Sequence, residues 1–176
     1  TLEDISRERK LTPEERQELK KYSRLADAFT PLSKGMSSEF ANQNAYDCVS
    51  VHGGSGFIME YKAQRLLRDA RIFSIYEGTT QLQVVAAVRY ITNGTYLSIM
   101  QEMLETEVAP EFKSLKKRIA RCVELYAEAI EKLKADDDQN VHDFLARRLY
   151  DMTGYIVMAL MLLDDATNCP EEFTKS

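Results

Sequence analysis

Between Phe112 and Leu163 the apolar residues return at steps of three and four. Phe112, Leu115, Ile119, Cys122, Tyr126, Ile130 and Leu133 make one series, and Val141, Leu145, Leu149, Met152, Ile156, Ala159 and Leu163 make a second. At 3.6 residues per turn each series falls on one side of an α-helix. The polar run Asp136-Asp137-Asp138-Gln139-Asn140 between them is a tight connection, so the two helices are expected to pack as an antiparallel hairpin. Helix breakers are scarce throughout, with 7 glycines and 4 prolines in 176 residues, and no period-2 alternation is sustained. The chain therefore reads as all-α, a helical bundle followed by a helical hairpin.

The first half carries its own punctuation. Thr12-Pro13-Glu14-Glu15 predicts a helix start: Thr12 caps, Pro13 suits the first helical position and Glu15 closes a capping box. The residues before it are expected to form a charged, mobile arm. The helix runs to about Val51, with a break open at Thr30-Pro31 because proline removes a backbone donor. His52-Gly53-Gly54-Ser55-Gly56 ends it. A short basic helix follows at about Glu60 to Arg68, then a connection from Asp69 to Glu77. A longer helix starts at Gly78 and carries Leu82, Val85, Val88 and Ile91 on overlapping faces. Asn93-Gly94 is either its C-cap or a break before Tyr96 to Leu104.

Composition excludes several classes. The net charge is −5, and residues 101–176 hold 10 Lys/Arg against 16 Asp/Glu, so there is no basic footprint for nucleic acid. Cys48, Cys122 and Cys169 are odd in number and widely spaced, which suits free thiols in a reducing compartment. The longest apolar run, Tyr155 to Leu163, is far short of the roughly 20 residues that cross a bilayer. Thr1 opens the sequence in a polar stretch, so a targeting segment would lie outside these residues.

Few residues could carry chemistry. Glu77-Gly78-Thr79-Thr80-Gln81 sets a carboxylate before a glycine and a helix start, beside backbone N–H groups that can bind an anion or a polar ring edge. The competing reading is an acid placed favourably on a helix dipole, with Thr79 and Gln81 as capping residues. His52-Gly53-Gly54-Ser55-Gly56 lets backbone approach a phosphate closely, or is a plain interhelical turn. It follows a helix, so it is neither a dinucleotide-binding nor a P-loop fingerprint. His52 and His142 stand 90 residues apart with no hydrolase motif near either, which excludes a hydrolytic triad. Arg65, Arg68, Asp69 and Arg71 read as a salt-bridge network tying the short helix to its neighbours, with a phosphate clamp as the alternative.

Taken in order, the motifs are more specific than any one alone. Ala41-Asn42-Gln43-Asn44-Ala45, His52 to Phe57, Glu60-Tyr61, Arg68-Asp69-Ala70-Arg71 and Ile75-Tyr76-Glu77-Gly78-Thr79-Thr80-Gln81-Leu82-Gln83 lie in one run. The segment from Leu25 to Ile91 that holds them closely resembles the C-terminal domain of the acyl-CoA dehydrogenase family. The resemblance implies an FAD-dependent oxidoreductase that dehydrogenates an acyl-CoA thioester between its α and β carbons. It implies Glu77 as the base for the α-proton, and Tyr76 and Gly78 beside the thioester. It also implies Thr79 and Gln81 on FAD, and Gly53 and Gly54 against the flavin of a neighbouring subunit, hence a homo-oligomer. One position departs from the family: Ser50 stands three residues before the glycine pair, where glutamine is usual.

The same resemblance implies electron-transfer flavoprotein as electron acceptor and a place in fatty-acid β-oxidation. It also implies the bacterial cytoplasm, or the mitochondrial matrix in a eukaryote. Residues 1–95 are expected to be the C-terminal domain of such an enzyme and residues 96–176 an additional helical extension used for packing or oligomer contacts. Complete family members carry an N-terminal helical domain and a middle β domain around the flavin. Residues 1–176 alone are therefore expected neither to hold FAD firmly nor to turn over. The alternative is a non-catalytic helical interaction or oligomerisation module derived from the same family, against which the intact Glu77-Gly78-Thr79 argues.

Overall fold

The computed structural model describes residue 4 and residues 9–168, and every regular element among the described residues is helical. Most of the charged arm before Thr12, and Cys169, lie outside the described residues.

Helix α1, Pro13–His52, is 40 residues long and starts where the sequence predicts. Glu15 N–H donates to Thr12 Oγ1 at 3.2 Å and Thr12 N–H donates to the Glu15 carboxylate at 2.8 Å, closing the capping box. Arg9 grips the same carboxylate with two bonds, at 2.8 and 2.6 Å. These bonds from Arg9 and then the Thr12 backbone pull the Glu15 carboxyl down to about 2.

The break open at Pro31 does not occur: α1 runs through it without interruption. Two other helices grip that turn. Tyr150, fully buried, donates its hydroxyl to the carbonyls of Pro31 at 3.0 Å and Leu32 at 3.1 Å. Tyr96, also fully buried, donates to the carbonyl of Ala28. Three carbonyls around the proline thus have side-chain donors from two other helices, which tie this turn of α1 to the core.

Past α1 come two short helices, α2 Gly54–Phe57 and α3 Ala63–Ala70, then a 3-10 turn at Arg71–Ser74. Helix α4, Thr80–Thr92, is capped by Thr79, whose side chain accepts from the Leu82 N–H at 3.3 Å. Asn93 ends it and Gly94, at φ 79°, starts α5, Thr95–Glu105, so the glycine is a hinge between two helices. A 3-10 turn at Pro110–Phe112 leads to α6, Lys113–Lys134, and then α7, Gln139–Asn168. Helices α6 and α7 pack on one another as expected, joined by a four-residue connection, with Tyr126 and Thr153 hydrogen-bonded at 2.8 Å between them.

Two of the sequence-derived faces shift. In α4 the buried side carries Val84, Ala87 and Ile91, while Leu82 and Val85 are exposed. Apolar residues stand on both sides of that helix, and periodicity alone does not choose between them. In α6 the buried residues are Ile119, Val123, Tyr126, Ile130 and Leu133; Leu115 and Cys122 point outward. The other four keep the expected face, and only at one step does Val123 take the buried place expected of Cys122.

The core is one cluster. Ala28, Leu32 and Met36 of α1 meet Val84, Ala87 and Ile91 of α4, Tyr96 and Met100 of α5, and Tyr150, Val157 and Leu160 of α7. Close approach of α7 to α1 requires Gly35: a Cβ there would stand 2.0 Å from the Tyr150 hydroxyl oxygen. No helix among the described residues is long and apolar enough to cross a membrane.

Gly35→Ala forces Tyr150 off its carbonyls, and a loss of about 1–3 kcal/mol is expected from overpacking of this kind, measured by urea denaturation. Burial also raises the phenols of Tyr126 and Tyr150 to about 12 from the ordinary 10, and pushes Tyr96 up further. Groups whose pKa is higher folded than unfolded give stability that is complete below the unfolded value and falls as pH rises towards the folded one. Through these phenols, thermal midpoints should hold up to about pH 10 and decline between roughly pH 10 and 12, while the lowered Glu15 carboxyl acts the other way, its contribution lost as pH falls below its ordinary value.

Candidate functional site

The segment between α3 and α4 passes across the middle of α1. Its shape is set by backbone: Glu77 sits at φ 52° and Gly78 at φ 93°. Glu77 is the sole positive-φ residue other than glycine among the described residues. An L-residue there carries strain of about 1–2 kcal/mol, so something must hold it.

Helix α1 supplies one set of clamps. Lys34 Nζ donates to the carbonyls of Phe73 at 2.6 Å and Gly78 at 2.9 Å. Ser38 Oγ donates to the Phe73 carbonyl at 2.9 Å. Helix α4 supplies the other: Gln83 Nε2 donates to Gly78 O at 3.2 Å and Glu77 O at 3.4 Å. Thr80, buried at the start of α4, donates its hydroxyl to the Glu39 carboxylate of α1 at 2.7 Å. The turn is thereby tied at both ends while the Glu77 side chain stays exposed.

That side chain lines a groove of about 320 Å3 together with Lys34, Ser37, Ser38, Phe73 and Tyr76. The Tyr76 ring is half exposed, 6.2 Å from Phe73 and 5.5 Å from the Lys34 ammonium. Larger grooves, about 450 and 600 Å3, run along the N-terminal part of α1 against α5, and none of the predicted site residues lines them. Immediately past Glu77, Thr79 caps α4 and Gln81 is exposed on its first turn.

Tyr76, Glu77, Gly78, Thr79 and Gln81 are therefore one local site. Gly53 and Gly54 are elsewhere: 19 residues separate Lys34 from Gly53 along α1, a distance of about 28 Å at 1.5 Å per residue. Gly53 has φ 59° and serves as the C-cap of α1. Gly54 differs from both Gly53 and Gly56. A Cβ on Gly56 would meet the Val49 carbonyl at 2.5 Å, whereas a Cβ on Gly54 would meet nothing within 4 Å, and its φ is ordinary. Nothing in this chain requires a glycine at position 54. Ser50, on the same end of α1, turns its hydroxyl back onto the Tyr46 carbonyl at 3.3 Å and stays exposed.

The expected charge network is not formed. Arg65 pairs with Asp69 at 3.4 Å within α3 itself, largely exposed, and Arg71 bonds the Ser74 hydroxyl in its own turn. Four residues of spacing favour an intrahelical pair over one to a neighbouring element. His52 Nδ1 contacts the Cys48 carbonyl at 2.8 Å and His142 Nε2 the Asp136 carbonyl at 2.7 Å, so both histidines finish local turns. No cluster of His, Cys, Asp and Glu among the described residues could hold a metal.

The residues that sequence reasoning missed are Lys34, Ser38 and Gln83. One signal was available for the first two: Lys34 and Ser38, at i and i+4, interrupt an otherwise apolar and small stretch of α1 around Pro31, Leu32, Gly35 and Met36.

An all-helical domain with a glutamate turn laid across a long helix defines a class, and comparison with known proteins gives it a family. Residues 14–91 match the family model described as acyl-CoA dehydrogenase, C-terminal domain, and residues 92–176 match the one described as acyl-CoA dehydrogenase C terminal. The chain belongs to the acyl-CoA dehydrogenase family. It is 48% identical over 52 residues to the caffeyl-CoA reductase-Etf complex subunit CarC of Acetobacterium woodii, covering 30% of this chain and 14% of that protein. It is 39% identical over 64 residues to an acyl-CoA dehydrogenase of Bacillus subtilis, covering 36% and 17%. With the mitochondrial long-chain specific acyl-CoA dehydrogenase of Sus scrofa it shares 38% over 76 residues, covering 43% and 18%. The matched segments thus span about 14 to 18% of these relatives' lengths. No solved structure matches the chain.

Because Glu77 carries a backbone cost that glycine does not, Glu77→Gly is expected to leave the fold as stable as before or up to about 1 kcal/mol more stable, read by urea denaturation. A loss beyond that would mean the side chain itself holds the turn.

Proposed function

We propose that this chain is the C-terminal part of an FAD-dependent acyl-CoA dehydrogenase, with Glu77 as the base that takes the substrate's α-proton. The observation that carries this reading is the strained Glu77 turn: a carboxylate held at positive φ by clamps from two helices, open to a groove, at the start of α4. Strain kept in place by surrounding structure is a mark of a working site.

The residues present suit a flavin. Gly54 lacks any reason for its glycine inside this chain, which fits a backbone that must let an outside group come close. Gly53, Gly54, Thr79 and Gln81 would hold FAD, and the ~28 Å along α1 between the glycine pair and the turn fits their serving two copies of the cofactor in a homo-oligomer. When bound, FAD supplies the acceptor for the hydride that leaves the β-carbon.

The rest falls to the protein. Glu77 accepts the α-proton onto a carboxylate oxygen as the α-carbon–hydrogen bond breaks, and Tyr76 and Gly78 lie where the thioester would be positioned. Developing charge on the thioester oxygen needs donors, and the backbone N–H groups near Glu77 and the start of α4 are the ones available on this chain. Since Glu77 is exposed here, water must be excluded by polypeptide beyond these residues.

In this reading residues 1–95 carry the chemistry and residues 96–176 complete the core and offer surfaces for assembly. Electron-transfer flavoprotein is the proposed acceptor, supported by the relative whose name places it in an Etf complex. Fatty-acid β-oxidation in the bacterial cytoplasm or the mitochondrial matrix is the setting that fits an acyl-CoA substrate.

The test uses the complete flavoprotein with acyl-CoAs of graded chain length and an artificial electron acceptor. Glu77→Gln should keep the flavin spectrum and lose roughly 100- to 10,000-fold in turnover, the range for loss of a general base. Normal turnover in that variant would end the assignment.

A further inference from the structure

The clamp on the Glu77 turn has one member that is charged and comes from the core side of the molecule. Lys34 donates to Phe73 O at 2.6 Å and Gly78 O at 2.9 Å, carbonyls that lie on either side of Tyr76-Glu77. Bonds from an ammonium are stronger than those from a neutral donor such as the Ser38 hydroxyl or the Gln83 amide, both of which also reach these carbonyls. Lys34 is half-buried, and it stands one turn or less past Pro31 and Leu32, whose carbonyls are fixed by the Tyr150 hydroxyl. A short path therefore runs from the buried core, through α1, to the backbone of the glutamate turn.

We propose that Lys34 is the positioning residue for Glu77, its ammonium bridging the Phe73 and Gly78 carbonyls so that the carboxylate is held at its positive-φ turn and aimed at the substrate's α-carbon. This rests on the reading of Glu77 as the base. With the bridge removed, the turn keeps only neutral donors, Ser38 on the Phe73 carbonyl and the longer bonds from Gln83 on Glu77 and Gly78, and Glu77 is free to relax towards the right-handed region that L-residues prefer. The direction of its Cα–Cβ bond changes with φ, so the carboxylate leaves its place although every reacting group is still present. Misplacement of about 1 Å in such a site costs on the order of 100-fold in rate.

Two rival roles predict different results. A lysine that bound substrate would change KM. A lysine that only supported the fold would lower thermal stability and leave the rate per folded molecule alone.

The experiment compares Lys34→Met, Lys34→Arg and Glu77→Gln in the complete flavoprotein, with steady-state kinetics on an acyl-CoA and hydrogen–deuterium exchange across residues 73–79. Lys34→Met should lower kcat by roughly 30- to 100-fold with KM within about threefold, and speed amide exchange in 73–79 by at least about tenfold. Lys34→Arg, which still offers two donors, should recover most of the rate. If Lys34→Met does not fold or loses its flavin, Lys34→Gln takes its place in both measurements. A kcat within threefold of wild type while Glu77→Gln is inactive overturns the positioning role and leaves the base intact. A raised KM at unchanged kcat, or unaltered exchange in 73–79, overturns it as well. Full turnover by Glu77→Gln sinks the base assignment itself, which the lysine variants cannot do.

Discussion

Two buried tyrosine hydroxyls tie the longest helix among the described residues to the core at its proline turn. Tyr150 from α7 and Tyr96 from α5 donate to carbonyls at 28, 31 and 32, around the one proline inside α1. A proline in a helix interior removes a bond and crowds the preceding turn, at a cost of about 3 kcal/mol, and would be expected to bend or end it. Here neighbouring helices bring donors to that point, and desolvation keeps both phenols protonated across the ordinary pH range. Helix α1 is 40 residues long, and α4, α5 and α7 assemble one continuous core on it.

The glutamate turn depends on the same helix. Lys34 and Ser38 project from α1 a turn or two beyond the tyrosine contacts, and they take hold of the backbone at 73 and 78. Thr80 and Glu39 lock the start of α4 to the neighbouring stretch of α1. Because the clamps grip carbonyls and leave the Glu77 side chain alone, the carboxylate remains free to act on something outside the chain. In the proposed reading of Glu77 as the base, fixing the backbone while sparing the side chain is what aims the carboxylate.

Much of this could be read from the residues, and the failures have physical causes. The capping box at Thr12, the end of α1 at Gly53 and the α6–α7 hairpin all follow from local chemistry: hydroxyl and carboxylate at fixed spacing, glycine at positive φ, apolar residues every three or four. What local chemistry does not contain is which partner a face will meet. Leu82 and Val85 are as apolar as Val84 and Ile91, yet only the latter face the core. The grip on the turn at Pro31 was equally hidden, since it comes from hydroxyls more than 60 and 110 residues away. Local spacing placed Tyr76, Glu77, Gly78, Thr79 and Gln81 together because they are neighbours in sequence. Lys34 and Gln83 were overlooked because the groups they hold are backbone carbonyls, which leave no trace in a string of side-chain types.

Gly94 turns the chain from α4 into α5 just inside the second of two matched family segments that share one interior. Tyr96 lies directly past that hinge, and Tyr150 farther on, so a polypeptide stopping at the hinge would expose Ala28, Leu32, Met36 and Ala87 to water. Residues 13–94 alone would need other cover for this strip of hydrocarbon, from elsewhere in the same chain or from a neighbour.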